Sequence, residues 1–176
     1  MDGLSGAYAA CCGLLAVGGA MKAAQPTPAR QALGSLGVRL PLPAVRAVGV
    51  GEVAVATVTL FVGGPAWALV ALCYAGFVAV AVALWRRDEV ASCGCFGEVD
   101  SRPSGLHVGV TAAGLGLSVV AAAQGASGPV AEALDDAGEG PLVLALAAIA
   151  TYLVVVALAQ LPGLAAAMRD LRRSAR

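Results

Sequence analysis

The sequence predicts an all-α polytopic membrane protein, a bundle of about five transmembrane helices. Three observations predict it. The first is composition. Of 176 residues, 59% are hydrophobic and 12% are charged, against about 45–50% and about 25% in an average soluble domain. So little charge cannot solvate a globule of this size, and so apolar a chain is not a disordered one. The second is the spacing of the charges, which leaves long windows free of them. The third is their sign, which separates between the two ends of those windows. Eleven basic and eleven acidic residues cancel, so no whole-chain field draws in nucleic acid. The partner that composition implies is the lipid bilayer.

Each window reads as one element. Gly3 to Met21 is the first, closed by Lys22. It follows Met1-Asp2 with no positive n-region, so it reads as a retained span rather than a signal peptide, and Tyr8-Ala9-Ala10 before Cys11 is a poor lipoprotein signal. Ala47 to Val62 is the second, interrupted by Glu52 and short for a span, which takes about 17–25 residues. Gly63-Gly64-Pro65 reads as a tight hairpin into the third, Pro65 to Trp85. The fourth lies within Pro103 to Ala131, near Leu106–Ala123. The fifth lies within residues 141–168 and is expected to stop near Leu161, before Pro162-Gly163. Residues 125–140 between them read as an acidic outer loop, and residues 169–176 as a basic tail.

Five spans put the termini on opposite sides, and the basic residues choose which side is which. Lys22, Arg30, Arg39 and Arg46 fall between spans one and two. Arg86, Arg87 and Arg102 fall between three and four, and Arg169, Arg172, Arg173 and Arg176 in the tail. These are all of the basic residues in the chain. They share one side when the N-terminus is outside and the C-terminus cytoplasmic, in a bacterial plasma membrane. The other side carries Asp2, Glu132, Asp135, Asp136 and Glu139.

The chemistry concentrates at the basic end. Cys93 and Cys95 are separated by one glycine, in the connection after span three. A disulfide between them closes only through a small ring that departs from relaxed geometry, and so is easily reduced. Gly94, without a Cβ, takes the backbone angles such a turn needs. Arg86, Arg87 and Arg102 favour the thiolate. Thiol–disulfide exchange is one reading of the pair. Metal ligation is a second, although zinc takes four ligands and only His107 is an obvious nearby addition. An inert reduced pair in the cytosol is a third.

Glu52 falls about five residues into its window, roughly 8 Å deep at about 1.5 Å per residue. A carboxylate inside a span is costly, usually faces the bundle interior and usually has a partner. Lys22 is the natural partner, with proton exchange to His107 as the second choice. His107 falls in the first turn of span four, so Lys22, Glu52, Cys93, Cys95 and His107 are expected at one end of the bundle. A polar pocket beneath the dithiol is the functional reading; an ion pair that only fixes helix packing is the plain one. Cys11, Cys12 and Cys73 fall about 15–20 Å from that end and read as buried apolar thiols. Gly105 and Gly109 make a small-xxx-small match.

In these features the chain resembles the methylamine utilisation protein MauE family, within the wider DoxX-like redox-associated membrane proteins. The resemblance rests on Gly18-Gly19-Ala20-Met21-Lys22 ending the first span and on Glu52 in the second. It rests also on Cys93-Gly94-Cys95-Phe96-Gly97 after the third, followed by Ser104 and the fourth. It covers residues 4–124 and implies a four-helix membrane core, with residues 141–168 an additional span. The family is associated with maturation of methylamine dehydrogenase, by disulfide formation or transport for a disulfide-rich exported subunit, alongside a thioredoxin-like protein. The resemblance thus implies a redox role for Cys93 and Cys95, supported by Glu52, Lys22 and His107. The charge bias, however, puts the dithiol on the cytoplasmic side, away from an exported substrate. Electrons then cross through the bundle or a quinone, or the pair reaches in from the interface. No metal is expected, and no cofactor other than a quinone. A membrane thiol–disulfide redox protein is the leading expectation; a non-enzymatic scaffold or transporter subunit is the alternative.

Overall fold

A computed structural model describes residues 4–87, 104–136 and 138–174, with side chains to Gln160 and at Met168. Among these residues the chain is all helical: α1 (Ser5–Ala24), α2 (Pro26–Ser35), α3 (Leu42–Phe61), α4 (Ala66–Trp85), α5 (Gly105–Gln124), α6 (Pro129–Asp135) and α7 (Gly140–Ser174). Five of them, α1, α3, α4, α5 and residues 140–160 of α7, are long and apolar enough to cross a membrane. The all-α, five-span reading of the sequence therefore holds.

α1 is the central helix, packed against α3, α7 and α5. Its buried positions, Tyr8, Cys11, Cys12, Leu15, Gly18, Gly19 and Lys22, recur at helical spacing. They meet Ala56 of α3, Trp67, Val70 and Tyr74 of α4, and Ala121 of α5. In lipid no hydrophobic drive pulls helices together, so close packing and interhelical hydrogen bonds carry the association. Tyr74 illustrates both: its hydroxyl donates to Cys11 O at 2.8 Å, and its ring lies against Gly114, where a side chain would collide with it. The outward faces stay apolar, with Leu72, Leu142, Ile149, Tyr152 and Leu153 each more than half exposed, as a bilayer requires.

The end of the bundle at the α1 N-terminus is tied together by backbone. Gly63 and Gly64 take positive φ, +67° and +56°, which only glycine does freely, and form the expected hairpin between α3 and α4. Gly63 then makes an isolated antiparallel bridge with Ser127. Gly64 N–H donates to Ala126 O at 2.7 Å, and Trp67 Nε1 to the same oxygen at 3.0 Å. Gly125, at φ +61°, closes α5 in the left-handed cap that turns the chain toward this bridge.

Four expectations need correction. The second span is not short: α3 starts at Leu42, ahead of Arg46, because Pro41 and Pro43 open the helix and Arg46 is exposed near its start. The connection from α1 to α3 is not all loop. Pro26 and Pro28 suit a first turn, and α2 buries Pro26, Ala29 and Ala32. The acidic stretch holds α6, whose Glu132 accepts from Ser5 Oγ at 2.7 Å and Ser127 Oγ at 2.5 Å. Finally, α7 does not stop near Leu161. It runs through Pro162-Gly163 to Ser174, a course that proline tolerates in membrane helices better than in soluble ones.

Candidate functional site

The site begins with a close helix crossing. α1 and α3 meet at Gly19 and Gly49. A Cβ at Gly19 would lie 2.6 Å from Gly49 O, and one at Gly49 only 2.7 Å from Ala23 N. No other residue type fits without parting the helices. This crossing, rather than the Gly105–Gly109 match, is the close small-residue contact; a Cβ at Gly109 meets nothing within 4 Å.

The crossing seats Lys22 beside Glu52. Lys22 Nζ donates to Glu52 Oε2 at 2.8 Å and to Gly18 O at 3.4 Å. It also lies 4.4 Å from the centroid of the Phe77 ring, within the range of a cation–π contact. Both charged residues are buried, Lys22 at 8% and Glu52 at 5% exposure. The partnership read from the sequence is therefore formed, but its depth differs. Glu52 is ten residues from the start of α3 at Leu42, about 15 Å along the axis. The pair sits near mid-span of α3 and α4 rather than at one end.

His107 lines a different space from the carboxylate. It lies in the first turn of α5, 2% exposed, with Nδ1 3.0 Å from Ser104 Oγ. It borders a void of about 20 Å³ that is also lined by Lys22, Tyr74, Phe77 and Leu158, the volume of about one water. The structure thus gathers Lys22, Glu52 and His107 around Phe77. Cys93 and Cys95 lie outside the described residues, in the connection from α4 to α5.

A larger cleft of about 360 Å³ is also lined by Phe77. Its walls are α2, α3 and α4, and its lining is apolar except at Lys22, Glu52 and Cys73. Cys73 was expected as an interior apolar thiol; it is half-buried and lines this cleft instead. Cys11 and Cys12 are buried in the core, at 3% and 0% exposure. Sequence spacing placed Cys73 at the right height but gave no rotation of α4 about its axis. Among the described residues no group of three or more His, Cys, Asp or Glu could hold a metal ion.

The family model of the methylamine utilisation protein MauE matches residues 3–125. That stretch runs from the start of α1 to the cap of α5 and takes in the ion pair, the cleft, Cys93, Cys95 and His107. No curated protein and no solved structure matches the chain. With well over half of its residues matched, this multi-pass membrane protein belongs to the methylamine utilisation protein MauE family.

Proposed function

We propose that the chain is a membrane thiol–disulfide exchange protein that assists maturation of a partner, with Cys93 and Cys95 as the exchanging pair. The observation that carries this reading is Cys93-Gly94-Cys95-Phe96-Gly97, placed within the family-matched stretch, in the connection that also carries Arg86, Arg87 and Arg102. In the oxidised form, a partner thiolate attacks one sulfur of the Cys93–Cys95 bond and forms a mixed disulfide. The partner's second thiolate then releases it. The partner loses two electrons and two protons, and Cys93 and Cys95 gain them as thiols. The reverse run reduces a partner. The short ring makes the pair reactive in this exchange.

Supporting roles follow from position. His107 sits in the turn where the connection re-enters the bundle, and carries protons to and from the thiols. Lys22 and Glu52 form the polar floor below. A thioredoxin-like protein or a disulfide-rich exported protein suits the chemistry as partner, and the family's link to methylamine utilisation suggests the setting. The charge distribution supports an N-terminus outside and a C-terminus in the cytoplasm of a bacterial cell. The formed Lys22–Glu52 pair at a tight crossing favours one second reading, a scaffold or transporter subunit in which the pair only fixes helix packing.

Acid-quenched alkylation of intact cells with a thiol-reactive mass tag tests the choice. Two thiols should shift only after prior reduction, and Cys93→Ser or Cys95→Ser should each remove that dependence. A pair that stays reduced in cells and under mild oxidant excludes the exchange reading and leaves the scaffold.

A further inference from the structure

We propose that the cleft between α2, α3 and α4 is a binding site for a lipid-soluble ring hydroxyl compound of the quinol class, entering sideways from the bilayer. The volume, about 360 Å³, lies in the range of small-molecule sites, about 300–1,000 Å³. Its entrance faces lipid. Val48 of α3 is 50% exposed and Leu72 of α4 is 69% exposed, and both line it. A ligand reaching a mid-span cleft through that face arrives dissolved in the membrane, so it carries an apolar body.

The polar end of the cleft selects the head. The Lys22 ammonium is already engaged by Glu52 Oε2, Gly18 O and the face of Phe77. Glu52 Oε1 takes no hydrogen bond from the described residues. It is not sealed from the cleft either, because no buried side-chain oxygen or nitrogen among those residues lacks a partner. The open capacity at this point is an acceptor, and the ligand must donate to it. A hydroxyl does. A carboxylate or phosphate head would instead face the Glu52 charge.

The walls select a ring over a simple chain. Gly51 of α3 and Gly76 of α4 both line the cleft, and a Cβ built on either meets nothing within 4 Å. Neither position is glycine for want of space in the helix packing, unlike Gly19 and Gly49. The missing side chains at these two positions leave a slot beside the aromatic ring of Phe77. A ring lies in it with its hydroxyl toward Glu52 and its tail past Val48 and Leu72. This assignment stands independently of the exchange chemistry of Cys93 and Cys95.

The test uses the full chain in nanodiscs, carrying Cys93→Ser and Cys95→Ser so that no dithiol reaction contributes. The probes are a decyl-substituted benzoquinol, its oxidised quinone, decanol and palmitic acid. The quinol should raise the thermal unfolding midpoint with increasing concentration, by roughly 5–10 °C at about one hundred times its dissociation constant. The oxidised form, without an O–H, should raise it less, and decanol and palmitic acid not at all. Gly76→Leu and Gly51→Leu fill the slot without touching the helix packing. They should not lower the unliganded midpoint, and they should lose the shift. An equal shift in the two leucine variants, an equal shift from decanol or palmitic acid, or no shift from the quinol overturns the assignment.

Discussion

Lys22 is within the last turn of α1, where a cation also meets the negative end of the helix dipole. It is held by one carboxylate, one carbonyl and one ring face. Removing either member of such a pair leaves a bare charge in an apolar site, at a cost of about 3–5 kcal/mol. Glu52→Gln and Lys22→Met should each lower the yield and the unfolding midpoint of the purified protein. The double variant should recover part of both, since neither charge is then stranded. Strictly additive losses would mean that the two residues do not interact. At the opposite end, Glu132 accepts from Ser127 and Ser5, and these two hydrogen bonds, in that order, lower its pKa below the usual carboxylate value. A carboxyl group lowered by folding stabilises the fold fully above its unfolded value. That contribution fades as pH falls from there through the lowered folded value. Midpoints measured from neutral to acidic pH should therefore drop more steeply for the native chain than for Glu132→Gln. Parallel curves would exclude a role for Glu132 in tying α6 to α1.

The crossing of α1 and α3 is the element that makes the site. At Gly49 a Cβ has no room between Gly19 O and Ala23 N, so Gly49→Ala must push the helices apart. Overpacking of this kind costs about 1–3 kcal/mol, and here it also lengthens the Lys22–Glu52 contact. Gly51→Ala, two residues along the same helix, meets open space and should be neutral or stabilising, by up to about 1 kcal/mol in helix propensity. Unfolding midpoints of the two variants side by side check this, and a similar loss in both would point to backbone effects rather than the crossing. Spacing alone did not mark Gly19 and Gly49 as a contact. A chain with 23 glycines offers many small-residue spacings, and the contact that matters pairs positions on different helices. α2 was missed for a related reason. Its hydropathy is low and it buries only one narrow face, through Ala29 and Ala32, against Leu84 and its neighbours.

At the scale of the whole molecule, the described basic residues Lys22, Arg30, Arg39, Arg46, Arg86 and Arg87 fall at one end, between the last turn of α1 and the first turns of α3 or just after α4, where Arg87 donates to Ser35 O. Glu132, Asp135 and Asp136 lie at the other. Reporter fusions after Gly128 should accordingly read outside, and fusions after Arg176 inside; the reverse at either point rejects the proposed orientation. The number of spans, their order and this separation of charge were all legible in the sequence. They follow from a one-dimensional property, since a bilayer accepts only apolar windows of a certain length and punishes charges within them. The pairing of Lys22 with Glu52 was legible too, because a buried charge requires a counter-charge and few were near. What only the tertiary structure decided was rotation and offset. The overlap of α3 beyond α1 set the depth of the pair, and the turn of α4 about its axis brought Cys73 to the cleft wall. The separation of α2, α3 and α4 opened that cleft beside Phe77. Hydropathy carries no azimuth in helices as uniformly apolar as α3 and α4. Their faces are distinguished by shape, and shape exists only once the helices have packed.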